Sequence, residues 1–131
     1  MQENVVQSKP ISEGSLLGDG QEGIAGPNEV IIQTEAQWEA LYTKMNSVNP
    51  TQKEVSIDFE QRTILAYFDQ IRPLGGYAVE IVKVTEINEI ITARVKFTIP
   101  EGNSIDIMTQ PYSIVSIPKT KKLIKFVAII E

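Results

Sequence analysis

Neither cysteine nor histidine occurs in this sequence. Without cysteine there is no disulfide framework, no thiolate nucleophile and no Cys/His zinc site. Without histidine there is no Ser-His-Asp or Cys-His arrangement, and the side chain best suited to moving protons near neutral pH is missing. Carboxylates, lysines, tyrosines and hydroxyls remain for chemistry, with oxygen ligands for calcium or magnesium. Apolar runs fall well short of the roughly 20 residues of a membrane span. No signal peptide is visible behind Met1, where "QENVVQSKP" is polar. Positive charge is also scarce: 12 Lys and Arg stand against 17 Asp and Glu, a net charge of −5. Nucleic-acid binders show a strongly basic face, which this balance disfavours.

What charge there is lies unevenly. Residues 119–131 carry four lysines (Lys119, Lys121, Lys122, Lys125) against Glu131, a net +3 that leaves −8 on the rest. We read this cluster as a solvated hairpin tip rather than an anion site. At 131 residues the chain is one domain, long enough to bury a core without disulfide or metal staples.

Residues 1–28 hold five of the eight glycines and little regular alternation. Residues 1–14 are expected to be a flexible segment, with a single β-rich domain over 15–131. The loop "GDGQEGIAGPNE" offers Asp19 and Glu22 without the alternating carboxylates of a calcium loop. A short strand, Glu29 to Gln33, leads to a helix predicted over 35–48. Thr34 and Gln37 form its capping box, and Trp38, Leu41, Tyr42, Met45 and Val48 repeat at helical period. Asn49-Pro50 stops it. From Glu54 the period becomes two. "VSIDF", "TILAYFD", "YAVEIVKV", "EIITARVKFTI", "SIVSI" and "LIKFVAII" read as strands, with a hairpin turn at Glu86–Glu89. The predicted fold is α+β, mainly β: an antiparallel sandwich or partly open barrel of about seven strands with one amphipathic helix.

Catalytic readings are thin. Of Asp58, Glu60, Asp69, Glu80 and Asp106, most read as the polar side of pleated strands, and the pair Asp69/Glu80, which flanks the loop, reads as solvated, although a carboxylate-based hydrolase would need two such acids facing each other. Ser113, Ser116 and Lys119 lack the strained elbow that exposes a nucleophile. The Gly75-Gly76 pair is followed by a strand at Tyr77, so no helix start gathers N–H groups on a phosphate. Binding remains. In "IRPLGGY", Pro73 fixes its own φ and extends Arg72, and one glycine of the pair is free to take φ > 0. Arg72 and Tyr77 are residue types enriched at interface hot spots. "TQPY" repeats the theme with Gln110, Pro111 and Tyr112. The candidate binding residues are Arg72, Gly75, Gly76, Tyr77, Gln110, Pro111 and Tyr112. The competing reading is two turns whose tyrosines brace the core. No catalytic residue, metal ligand or cofactor is assigned.

"IDFEQRTILAYFDQIRPLGGYAVEIVKV" resembles the centre of the PrcB-type domain, the C-terminal domain of protease-complex-subunit PrcB proteins, where a strand runs into an Arg-Pro-x-Gly-Gly-Tyr turn and a Val-Glu-Ile strand. "TQPYSIVSIPK" is similar to that family's Gln-Pro-Tyr segment, and "EGIAGPNEVIIQTEAQWEALY" resembles its front part, with Glu22 where serine is commoner. The resemblance spans about residues 15–127. It implies a non-catalytic, exported binding module that is extracytoplasmic, with a protein partner, a secreted protease by the family name, and with a leader or lipid anchor removed. A weaker similarity is to chagasin-like peptidase inhibitors, whose Asn-Pro-Thr-Thr-Gly-Tyr/Phe loop is matched by Pro73, Gly76 and Tyr77 but not by Arg72, Leu74 or Gly75. It implies an alternative, an inhibitor presenting residues 72–77.

Overall fold

The structure, a computed structural model, describes residues 3–17, 28–45, 55–73, 75–100 and 108–129. They form eight strands and one helix: β1 (Asn4–Val6), β2 (Lys9–Leu17), β3 (Asn28–Ile32), α1 (Glu35–Met45), β4 (Arg62–Phe68), β5 (Ala78–Ile87), β6 (Ile90–Thr98), β7 (Thr109–Pro118) and β8 (Leu123–Ile129). One four-stranded sheet has the order β2-β7-β4-β3, and the other β1-β5-β6-β8. The two sheets face each other as a sandwich, with no closed barrel among the described residues. This is the mainly β, α+β fold expected from the sequence, with one more strand than the seven counted.

Three layers explain why β4 and β7 do not alternate in polarity. On β4, Ile64, Ala66 and Phe68 pack towards α1, while Leu65 and Tyr67 pack towards the second sheet. On β7, Tyr112 and Ile114 face the helix, and Val115 and Ile117 face the sheet. Every residue from Thr109 to Ile117 is buried. A strand covered on both faces reads as a continuous run instead of an alternating one. Strand β6, in the middle of the second sheet, has one wet face, and Ile91, Ala93 and Val95 point inward as their period-two spacing predicts.

The helix closes the first sheet through its apolar stripe. Trp38, Leu41, Tyr42 and Met45 are all buried, and Trp38 meets Tyr42 edge to face at 4.7 Å. Trp38 is thus a core residue, 1% exposed. Thr34 Oγ1 accepts from the Gln37 amide at 3.2 Å, while Gln37 Oε1 accepts from the amide of Gln33 at 2.9 Å, so the box reaches one residue further back than expected. Val48, Asn49-Pro50 and most of the glycine-rich loop lie outside the described residues.

Three expectations are corrected. "VSIDF" forms no strand. Val55–Asp58 is irregular, and residues 59–61 form a turn in which the Gln61 and Arg62 amides donate to the Asp58 carbonyl at 3.0 and 2.9 Å. Its period-two apolar residues serve the helix instead: Ile57 and Phe59 pack on the α1 core, and the Trp38 indole N–H donates to the Val55 carbonyl at 2.8 Å. The start of the chain is not irregular either. Residues 4–6 and 9–14, set apart from the domain in the sequence reading, lie in β1 and β2, paired with β5 and β7. Pro10 and a bulge between Pro10 and Ser12 mark β2 as an edge strand and break the alternation that would have revealed it. Finally, the lysine cluster is not a hairpin tip. Both edges of β7 are taken, by β2 and β4, so the chain crosses over and β8 pairs in parallel with β6. Lys119 Nζ donates to the Phe59 carbonyl at 2.8 Å, and Lys122 pairs with Glu86.

The β5–β6 hairpin turns on Asn88 and Glu89, with φ of 52° and 68°. Two successive left-handed residues fit a type I′ turn. Asn88 suits this region, whereas Glu89 is strained by about 1–2 kcal/mol. Glu89→Gly is expected to raise stability by roughly 1 kcal/mol in urea unfolding, with the m-value unchanged.

β1 is held by charge as well as by its ladder. Arg94 donates to Glu3 Oε2 at 2.8 Å and to Thr85 Oγ1 at 2.7 Å. The Arg94 hydrogen bond holds the Glu3 carboxyl below its ordinary value. A depressed carboxylate contributes fully above its unfolded-state pKa, and the contribution is lost as pH falls through the lower folded-state value. Amide protection of residues 4–6 is therefore expected to fall in acid before that of β6, and Arg94→Gln is expected to remove the difference in hydrogen-exchange measurements.

Candidate functional site

The two loops singled out in the sequence meet at one residue that the sequence reading assigned to solvent. Asp69 follows β4 and is 3% exposed. Its amide donates to the Pro111 carbonyl at 2.8 Å, and its carbonyl accepts from Gln110 Nε2 at 3.2 Å. Its carboxylate accepts from Arg72 Nε at 2.9 Å, from Arg72 Nη2 at 3.3 Å and from the Gln70 amide at 2.8 Å. A buried carboxylate needs such partners. The solvated Asp69/Glu80 pair is corrected for Asp69, while Glu80 is exposed on β5. A signal did exist in "DQIR": an acid three residues before an arginine, at the exit of a strand with no polar face.

Arg72 is fixed from both ends. Its amide donates to the Thr109 carbonyl at 2.7 Å, and its carbonyl accepts from the Thr109 amide at 2.9 Å, a single bridge beyond β4. Its guanidinium, pinned by Asp69, lies 4.7 Å from the centroid of the Tyr77 ring, a cation–π contact. Arg72 and Tyr77 are both half-buried, and Pro73 and Gly76 are exposed. Leu74 lies outside the described residues.

Gly76 has φ of +92°, and a Cβ there would stand 2.7 Å from the Pro100 Cβ. Both the backbone angle and the space call for glycine. The loop is therefore anchored at Arg72 by charge and at Gly76 by close packing on Pro100, in the segment that leaves β6.

The second segment is internal. Gln110 is 1% exposed and Tyr112 2%, and Pro111 is buried. Tyr112 stacks on Phe68 with centroids 5.9 Å apart and shares a hydrogen bond with Ser12 Oγ at 3.2 Å. In this arrangement its ring packs on the core and presents no surface to a partner. The structure thus joins Arg72, Tyr77, Gln110 and Pro111 into one unit around Asp69, with Pro73 and Gly76 exposed beside it.

Nearby, burial and the neighbouring Asp69 and Glu29 charges push the Tyr67 hydroxyl above its ordinary pKa. The hydroxyls considered for nucleophilic chemistry are engaged structurally. Ser113 Oγ accepts from the Ile81 amide at 3.1 Å, and Ser116 Oγ accepts from Arg62 at 2.9 Å. Among the described residues no cluster of three or more carboxylates could hold a metal ion.

Residues 63–118 match the family model of the PrcB C-terminal domain. Both the Arg72–Tyr77 and the Gln110–Tyr112 pieces fall inside this PrcB match, as does Asp69. The PrcB-like region runs from β4 to the end of β7, and so contains both central strands of the first sheet and the β5–β6 hairpin. No curated protein and no solved structure matches the chain.

Two substitutions test this construction. Asp69→Ala removes the buried partner of Arg72 and is expected to cost about 3 kcal/mol. Gly76→Ala is expected to cost about 2 kcal/mol from the backbone angle and the Pro100 contact together. Urea unfolding midpoints read both.

Proposed function

We propose that this chain is a non-catalytic binding module of an exported, protease-associated assembly, and that residues 72–77 carry the contact. The observation behind this reading is the double anchoring of an outward-facing loop, at Arg72 through Asp69 and at Gly76 against Pro100. A loop held in one shape before it meets a partner loses little conformational freedom on binding. Arg72 and Tyr77 offer a planar donor fork and an aromatic face, both suited to a protein surface. The PrcB match supports association with a protease, the extracytoplasmic location is what the sequence resemblance implies, and the net charge of −5 disfavours a nucleic-acid partner. The carboxylate of Asp69 is taken up in bracing the loop, which supports binding over carboxylate-based hydrolysis.

Photocrosslinking in the native host tests the reading. A benzophenone amino acid placed at Pro73 is expected to give an adduct that contains a protease subunit, whereas the same group at exposed Leu123 on β8 is not. Equal labelling from both positions, or none from position 73, overturns it.

A further inference from the structure

The gap between the two sheets opens to solvent at the edge strands β3 and β8, and there it forms a cavity of about 260 Å³. None of its lining comes from the 72–77 loop. Its wall holds aromatic rings from three strands: Tyr67 of β4, Phe97 of β6 and Phe126 of β8. Phe97 stands at 90° to Tyr67 with centroids 5.7 Å apart, and Phe126 at 40° with centroids 6.2 Å apart. The rings therefore make an angled wall rather than a flat stack. All of them are half-buried, while Val95 in the same wall is 1% exposed, so the cavity reaches down to the inter-sheet core.

The charged residue of this wall is Glu29. It lies opposite Tyr67 in the β3–β4 ladder, and directly opposed residues share one face of a sheet. Tyr67 packs towards the second sheet, so Glu29 leaves β3 on that side as well. It stays exposed, and among the described residues it has no ion pair or hydrogen bond. Its surroundings are negative. Burial, then the charges of Asp69 and Glu29, raise the Tyr67 pKa, and Arg72 opposes them. Arg72 is itself held by Asp69 and lies outside the lining. An inward-pointing charge can also guard an edge strand against pairing, but that role calls for neither an aromatic wall nor a cavity. A carboxylate without a partner beside several π-faces is the arrangement that attracts a cation.

The lining also selects among cations. Its polar side-chain groups are the Glu29 carboxylate and the Tyr67 hydroxyl. A guanidinium or a primary ammonium brings more N–H donors than these can match, and donors taken from water without a partner are costly. A quaternary ammonium carries the same charge with no donor at all. We propose that the cavity binds a small quaternary ammonium ion of the choline class, its methyl groups against Tyr67, Phe97 and Phe126 and its charge beside Glu29. The proposal goes beyond the 72–77 reading and rests on other residues.

Titration of the isotope-labelled protein with choline chloride, against sodium chloride at equal ionic strength, provides the test. Amide shifts are expected at residues 29, 67, 95–97 and 126–128. Dimethylbutanol, which has carbon in place of the choline nitrogen, is expected to bind at least roughly fivefold more weakly, and methylguanidinium likewise. Glu29→Gln changes an exposed position, so the fold is retained, and choline binding is expected to weaken roughly threefold to fivefold. Phe126→Leu keeps an apolar side chain without its π-face, and is expected to weaken choline binding roughly fivefold while leaving dimethylbutanol unaffected. Choline shifts without co-sedimentation on phosphatidylcholine vesicles would mark a free solute as the source of the group. Co-sedimentation that Glu29→Gln abolishes would mark a lipid headgroup. No localised shifts, shifts centred on residues 72–77, dimethylbutanol or methylguanidinium binding as tightly as choline, or choline binding untouched by Glu29→Gln would each overturn the proposal.

Discussion

β7 is used up on every side. Its two faces are covered by α1 and by the second sheet, and its two edges are paired with β2 and β4. Most of the architecture follows from that constraint. A strand with a helix-facing row and a sheet-facing row needs three layers, so α1 is a required lid. A strand with no free edge cannot start a hairpin, so the following segment leaves for the other sheet and β8 must run parallel to β6. At this crossover the exposed Lys119 donates to the Phe59 carbonyl in the turn before β4, and the exposed Lys122 pairs with Glu86 on β5. Burial on this scale is the dominant stabilising contribution to a small domain, and it leaves little tolerance for misplaced polar groups.

Asp69 is where that tolerance is tested. The chain leaves β4 directly beside the entry to β7, and the backbone groups freed there are satisfied by one aspartate and one glutamine. The carboxylate then reaches outward to orient Arg72, which in turn covers Tyr77. A buried polar network of this kind fixes the groups around Asp69 relative to one another. Core packing is thereby converted into a defined outer surface, and the internal Gln110-Pro111-Tyr112 segment contributes to the site by holding it from behind.

The parts of this structure legible in the sequence were those governed by one local rule. The stripe of Trp38, Leu41, Tyr42 and Met45 identified the helix because a helix buries one face. The alternation of Ile91, Ala93 and Val95 identified β6 because that strand has one wet side. What escaped depended on distant pairing. "VSIDF" has strand periodicity, but its apolar residues answer to Trp38 and the helix. β2 has Pro10, a bulge and Gly14, tolerated because it is an edge strand. The parallel placement of β8 follows from the occupied edges of β7, which no local pattern records. At the site, the Pro/Gly turn was visible, whereas its centre was not. Asp69 looks like any strand-ending acid until the partner loop is placed against it.

The close approach of Gly76 to Pro100 has a consequence for how such loops diversify. Position 76 is constrained twice, by a backbone angle that suits glycine and by a ring against which no Cβ fits. Neighbouring Pro73 is exposed and free of both limits. Evolutionary drift should therefore divide sharply within a few residues, with a frozen hinge beside a tip open to new side chains. A loop built in this way can vary at its exposed position while its anchors stay fixed.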